Sequence, residues 1–169
     1  MKKYIIFLTL ISILVISACT TKTTNYETEQ KNQNTQTTTS NNSVAGYKGE
    51  LIVGGKTPYI RYSKEDFDKA KSENKVIYLY FYATWCPICA TERPSIFKAF
   101  NEMNYDNVIG FEVHFNDDKT TKEDEDLAKE LGVAYQHTTI IFDKTGKESY
   151  RSLSRISKDK IKEEIAKLV

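Results

Sequence analysis

Val76-Ile77-Tyr78-Leu79-Tyr80-Phe81-Tyr82-Ala83-Thr84-Trp85-Cys86-Pro87-Ile88-Cys89 is the stretch that decides the fold. Its first seven residues are β-branched, aromatic or aliphatic at every position, the composition of a strand buried on both faces. Two cysteines follow with two residues between them, and a helical pattern begins at the first. A Cys-x-x-Cys at a strand-to-helix junction puts its first sulfur at a helix N-terminus, where free N–H groups and the macrodipole favour a thiolate. The second sulfur lies one turn on, on the same face, within reach of a disulfide. Cys86 is therefore the expected nucleophile, exposed at the helix start, and Cys89 the thiol that resolves a mixed disulfide. Pro87 suits the first helical position, where its missing N–H costs nothing. A static bridge is the weaker reading, because closing so short a loop stabilises little.

Toward the N-terminus, Lys2 and Lys3 precede an apolar run from Tyr4 to Ala18. At about fifteen residues it is shorter than the roughly 20 that span a bilayer, so residues 1–18 read as a signal peptide. Its end, Ile16-Ser17-Ala18-Cys19, resembles a lipobox, which implies cleavage before Cys19 and a lipid on that sulfur. Residues 19–45 are then the lipidated cysteine plus a tether rich in Thr, Asn, Gln and Lys. Such a segment cannot bury enough apolar surface to offset its ordering entropy and is expected to be disordered. It would reach on the order of 25–30 Å. The expected location is extracytoplasmic, on a membrane anchor. With Cys19 assigned to lipid, the pair at 86 and 89 is the whole remaining thiol inventory, since the chain has 3 cysteines. The 24 basic and 23 acidic residues form no basic stripe for nucleic acid.

Residues 46–169 read as one globular domain. Leu51-Ile52-Val53 and Tyr59-Ile60-Arg61-Tyr62 are expected as short edge strands, with Pro58 arguing for an edge. Ser63, with Asp66 three residues on, suggests a variant capping box opening a helix that carries Phe67 and Ala70. The helix after Cys86 should run to about Met103, kinked or divided at Pro94. A strand from Val108 to Phe115, a helix from about Thr121 to Leu131 and a hairpin around Asp143-Lys144-Thr145-Gly146 follow. A last helix is capped by Ser157. His114 is expected to be structural, and Glu92 to be a solvated helix residue. The acidic run Glu123 to Asp126 reads as a helical first turn favoured by the dipole.

This order, with Trp-Cys-x-x-Cys after the strand that precedes the second helix, resembles the thioredoxin family over roughly Ser63 to Val169. Pro94 matches the family's helix proline, and Thr138 to Lys147 its later strand and hairpin. The resemblance implies a thioredoxin fold, an α/β arrangement with a central mixed sheet and helices on both faces. It also implies a thiol–disulfide oxidoreductase acting on protein disulfides or dithiols, without cofactor or metal. A membrane redox partner would recycle it, and the chain is expected to be a monomer. Trp85 would form an apolar platform for partner chains, with Pro87, His137 and Thr138 supporting the site. Two departures stand out. The usual cis-proline position holds His137, and the usual buried Asp six residues before the first Cys is Tyr80, so another group must deprotonate Cys89. His137 has three readings: a base or hydrogen-bond partner for the thiols, a loop histidine bonded to backbone, or a third ligand beside Cys86 and Cys89. The last would make the domain a copper or iron–sulfur module, the alternative function.

Overall fold

A computed structural model of the protein describes Val44 and residues 46–169. The expected signal peptide (1–18), the expected lipidation at Cys19 and, apart from Val44, the expected tether (19–45) lie outside the described residues. Among the described residues, no helix is long and apolar enough to cross a membrane.

The elements are β1 (Leu51–Val53), β2 (Tyr59–Arg61), α1 (Lys64–Ser72), β3 (Val76–Tyr82), α2 (Pro87–Glu102), β4 (Val108–His114), α3 (Lys122–Glu130), β5 (Thr138–Phe142), β6 (Glu148–Ser152) and α4 (Lys158–Ala166). They form a six-stranded mixed sheet in the order β1-β2-β4-β3-β5-β6. The apolar strand β3 lies near its middle, parallel to β4 over its full length and antiparallel to β5. Its alternation divides the core. Ile77, Leu79 and Phe81 pack with Phe67 and Ala70 of α1 and Leu127 and Ala128 of α3. Val76, Tyr78 and Tyr80 face Cys89, Ile96 and Phe100 of α2 and Ile161 and Ile165 of α4. Helices thus cover both faces, as the sequence implies.

Three local expectations change. β2 is not an edge strand: it pairs with β1 on one side and β4 on the other. Pro58 is tolerated because it immediately precedes β2 and uses only its carbonyl, which accepts from Gly110 N at 2.9 Å. The capping box at Ser63 is half formed. Ser63 Oγ accepts from Asp66 N at 3.2 Å, but the Asp66 carboxylate turns away to the amides of Lys48 (3.0 Å) and Gly49 (2.7 Å), pinning the entering chain to α1. Of the two outcomes expected at Pro94, a kink or a division, division does not occur: the helix is continuous from Pro87 to Glu102.

The seat of α2 depends on one glycine. A Cβ on Gly110 of β4 would lie 2.5 Å from both Phe100 Cζ and Tyr59 Cδ2. Without it, Phe100 settles against Tyr59 (ring centroids 4.9 Å apart) and Tyr78 (5.4 Å). Such tilted and edge-on pairs fill the space between helix and sheet. Gly110→Ala is therefore expected to cost about 1–3 kcal/mol of stability by overpacking. Chemical denaturation measures it, and a neutral result would contradict this packing.

Candidate functional site

Cys86 is the N-cap of α2, with extended backbone, and its Sγ accepts from Cys89 N at 3.1 Å. Pro87 follows at the start of the helix, as expected. Neither cysteine is bridged. The expected exposure of Cys86 is overturned: it is 2 % exposed and Cys89 0 %. Capping turns the first sulfur back over the helix end, into the cluster that holds Tyr80, Ala83 and Cys89. What faces solvent instead is apolar: Trp85 and Ile88 beside the cysteines, and Tyr135 in the loop leading to His137.

Trp85 is 55 % exposed, so it is not a core residue. Its Nε1 donates to Asn116 O at 2.8 Å. The same loop after β4 holds the backbone of the cysteine segment, through Thr84 N donating to Asp117 Oδ2 at 2.8 Å. Asp117 is a hub. Its Oδ2 also lies 2.8 Å from His114 Nδ1, and its Oδ1 accepts from Lys119 N at 2.9 Å. Burial alone would raise this carboxyl, but His114 and the amides of Thr84 and Lys119 outweigh it and hold the group at about 2. His114 is structural, as expected, and this is its task.

Behind Cys89 lies a group the sequence reading misplaced. Glu92 is not solvated; it is 1 % exposed. Its Oε2 accepts from the Tyr80 hydroxyl at 2.9 Å, and its Oε1 from Ile156 N at 2.8 Å. Tyr80 in turn shares one buried cluster with Cys89, and each shifts the other's ionisation. Burial drives all three acids up. It pushes the Cys89 thiol to about 11, with the neighbouring Cys86 adding to it. Burial and then the Glu92 charge raise Tyr80 far above an ordinary phenol. Burial raises Glu92 although the Ile156 amide and Tyr80 hydroxyl pull it down. Glu92 also borders a cavity of about 330 Å³ with Ser95, Arg155, Ile156 and Ser157. The position six residues before Cys86 is thus acidic by proxy, a tyrosine backed by a carboxylate from the next helix.

His137 approaches the thiols from the other side. Its backbone is left-handed (φ 55) and its N donates to Phe81 O at 2.7 Å. One ring nitrogen and the two sulfurs lie within 4.8 Å of one another. Nδ1 is sealed from solvent and has no hydrogen-bond partner, so the ring is not tied to backbone through that atom. Leaving such a group unpaired costs about 1–3 kcal/mol. Thr138 is fully buried, pairs with Phe81 across the sheet, and donates from Oγ1 to Tyr135 O at 2.7 Å, fixing the loop end.

Residues 58–167 match the thioredoxin family, and the chain belongs to it. The match begins five residues before Ser63, taking in β2. Among solved structures, thioredoxin f from spinach chloroplast (short form) is 27 % identical, with 70 % of this chain and 97 % of that one covered and a TM-score of 0.52. Thioredoxin NaTrxh from Nicotiana alata is 26 % identical, covering 71 % and 98 %, with a TM-score of 0.52. Trxlp from Edwardsiella tarda EIB202 is 22 % identical, covering 61 % and 93 %, with a TM-score of 0.53. No curated protein matches.

The Asp117 hub has a pH signature. A carboxyl lowered from 3.8 to about 2 stabilises the fold above its unfolded value and loses that contribution as pH falls through the folded one. The contribution is about 2 kcal/mol. Asp117→Asn should therefore be less stable than the parent near neutrality, with the gap closing between about pH 4 and pH 2. Denaturation across that range checks it; a gap independent of pH would contradict the hub.

Proposed function

We propose that this protein is a thiol–disulfide oxidoreductase acting on protein disulfides outside the cytoplasm, held at a membrane by a lipid on Cys19. The observation that carries the catalytic part is the unequal environment of the two sulfurs. Cys86 Sγ receives an amide hydrogen bond at the end of α2, whereas Cys89 is held as a thiol against Tyr80 and Glu92. An N–H donor stabilises negative charge on the first sulfur. A buried acceptor chain can take the proton of the second.

In the reducing direction, the Cys86 thiolate attacks one sulfur of a substrate disulfide and the other leaves as a thiolate. The Cys89 proton then passes to Tyr80 as Tyr80 gives its own to Glu92. The freed Cys89 thiolate attacks Cys86 Sγ, the bond to substrate breaks, and the chain is left with a Cys86–Cys89 disulfide. Two electrons have moved to the substrate. Glu92 returns its proton to solvent through the cavity at Arg155 and Ser157. A membrane redox partner would supply two electrons to reset the pair, and the same steps reversed oxidise a dithiol. Trp85, with Ile88, gives an extended substrate chain an apolar surface beside buried sulfurs. The working unit is a monomer that needs no cofactor.

The enzyme reading is tested with the reduced protein and insulin. The parent should reduce the disulfides, and Cys86→Ser should fall to the uncatalysed rate. Cys89→Ser should accumulate a mixed disulfide through Cys86; equal activity in parent and Cys86→Ser would reject the reading. Glu92→Gln and Tyr80→Phe should each slow resolution of the mixed disulfide by about 10²-fold. The loss in Glu92→Gln should shrink as pH rises toward the Cys89 value of about 11. Unchanged resolution in both variants would remove the relay. Cys19→Ser should shift the protein from the membrane fraction to the soluble extracytoplasmic fraction; unchanged fractionation would reject the lipid anchor.

A further inference from the structure

We propose that the reduced pair and His137 form a binding site for a soft monovalent metal ion, copper(I), held by two thiolates and one imidazole. Among the described residues, Cys86, Cys89 and His137 are the only group of three or more His, Cys, Asp or Glu side chains placed to share a metal ion. Their donor atoms lie within 4.8 Å of one another. With metal–ligand bonds of about 2.0–2.3 Å, donors around one ion sit about 3.5–4 Å apart, so the three need close by only about 1 Å.

An independent observation points the same way. His137 Nδ1 is buried with no hydrogen-bond partner, so the imidazole carries a nitrogen that nothing in the fold satisfies. Its backbone explains why the ring stays there. The left-handed φ of 55 and the 2.7 Å bond to Phe81 O fix His137 at the mouth of the site, and Thr138 is locked into the sheet behind it.

The donor set selects the ion. Two sulfurs and a nitrogen suit a soft cation. Zinc takes a fourth ligand, commonly a water, whereas both sulfurs here are out of contact with solvent. An iron–sulfur cluster takes four protein ligands, and three are present. Binding copper(I) displaces the protons of both thiols, leaving a three-coordinate site of net charge −1 and two protons in solution. No oxidation is involved. The loaded site has no free thiolate, so copper and a substrate disulfide compete for the same two sulfurs.

The test titrates the full-length reduced protein anaerobically with copper(I) against a coloured copper(I) chelator. One ion per chain is expected, with an X-ray absorption edge characteristic of three-coordinate copper(I). His137→Asn keeps a residue that tolerates left-handed backbone while removing the imidazole. It should weaken binding at least tenfold and lower the coordination number to two, and Cys89→Ser should abolish stoichiometric binding. His137→Ala provides a second removal, with circular dichroism checking that each variant is folded. Unchanged affinity and edge in folded His137→Asn, or stoichiometric displacement of copper(I) by equimolar zinc, would overturn the site. Disulfide reduction by the metal-free parent is measured separately, so either activity can fail without the other.

Discussion

The burial of two thiols beneath the N-terminus of α2 is the constraint on which the rest of this site depends. Taking sulfur out of water penalises the thiolate, yet exchange chemistry needs one thiolate at each step. The chain meets that conflict unequally. Cys86 gains an amide donor by capping the helix, while Cys89 keeps its proton and is given acceptors to release it to. The proposed order of events follows from that difference in environment.

That asymmetry requires α2 and the loop before it to be held in place. Gly110 lets Phe100 pack at a tilt against Tyr59 and Tyr78 of the sheet, which sets the depth of the helix whose Glu92 meets Tyr80. At the other end, Asp117 ties Thr84, and Asn116 ties Trp85, to the loop after β4. Both anchors come from β4 and the residues that follow it, the strand that pairs with β3 along its whole length. The strand that carries the cysteine segment and the strand that steadies it are therefore neighbours, and a shift of one would be felt by the other.

Much of this was readable from residue order. The unbroken apolar run of β3 announced a central strand, Ser63, Thr121 and Ser157 marked helix starts that the structure confirms, and Cys-x-x-Cys marked the strand-to-helix junction at the head of α2. The failures share a cause: polar side chains whose partners are distant in sequence. Glu92 lies three residues after Cys89 and four before Ile96, on the apolar stripe of α2, so a signal was present. A carboxylate there reads as solvated unless Tyr80 and the Ile156 amide are known to meet it. Asp117 drew no reading from the sequence, because the bond that gives it its role, from Thr84 N, spans 33 residues from the helix entrance to the loop after β4. Pro58 suggested an edge, but only its lack of an N–H is coded in sequence, not which side of the strand needs one. The burial of Cys86 escaped for a similar reason, since the direction of a capping sulfur is set by the turn.

The central claim is that Cys86 and Cys89 form one reversible two-electron couple. Trp85 is the only tryptophan of the chain and adjoins Cys86, so its emission reports the state of the pair. Equilibrating the full-length protein across glutathione redox buffers should give a single two-electron transition between about −270 and −120 mV, the span of Cys-x-x-Cys oxidoreductases. The transition should vanish in Cys86→Ser. An emission that does not change with the buffer, or a transition that survives in Cys86→Ser, would contradict the account.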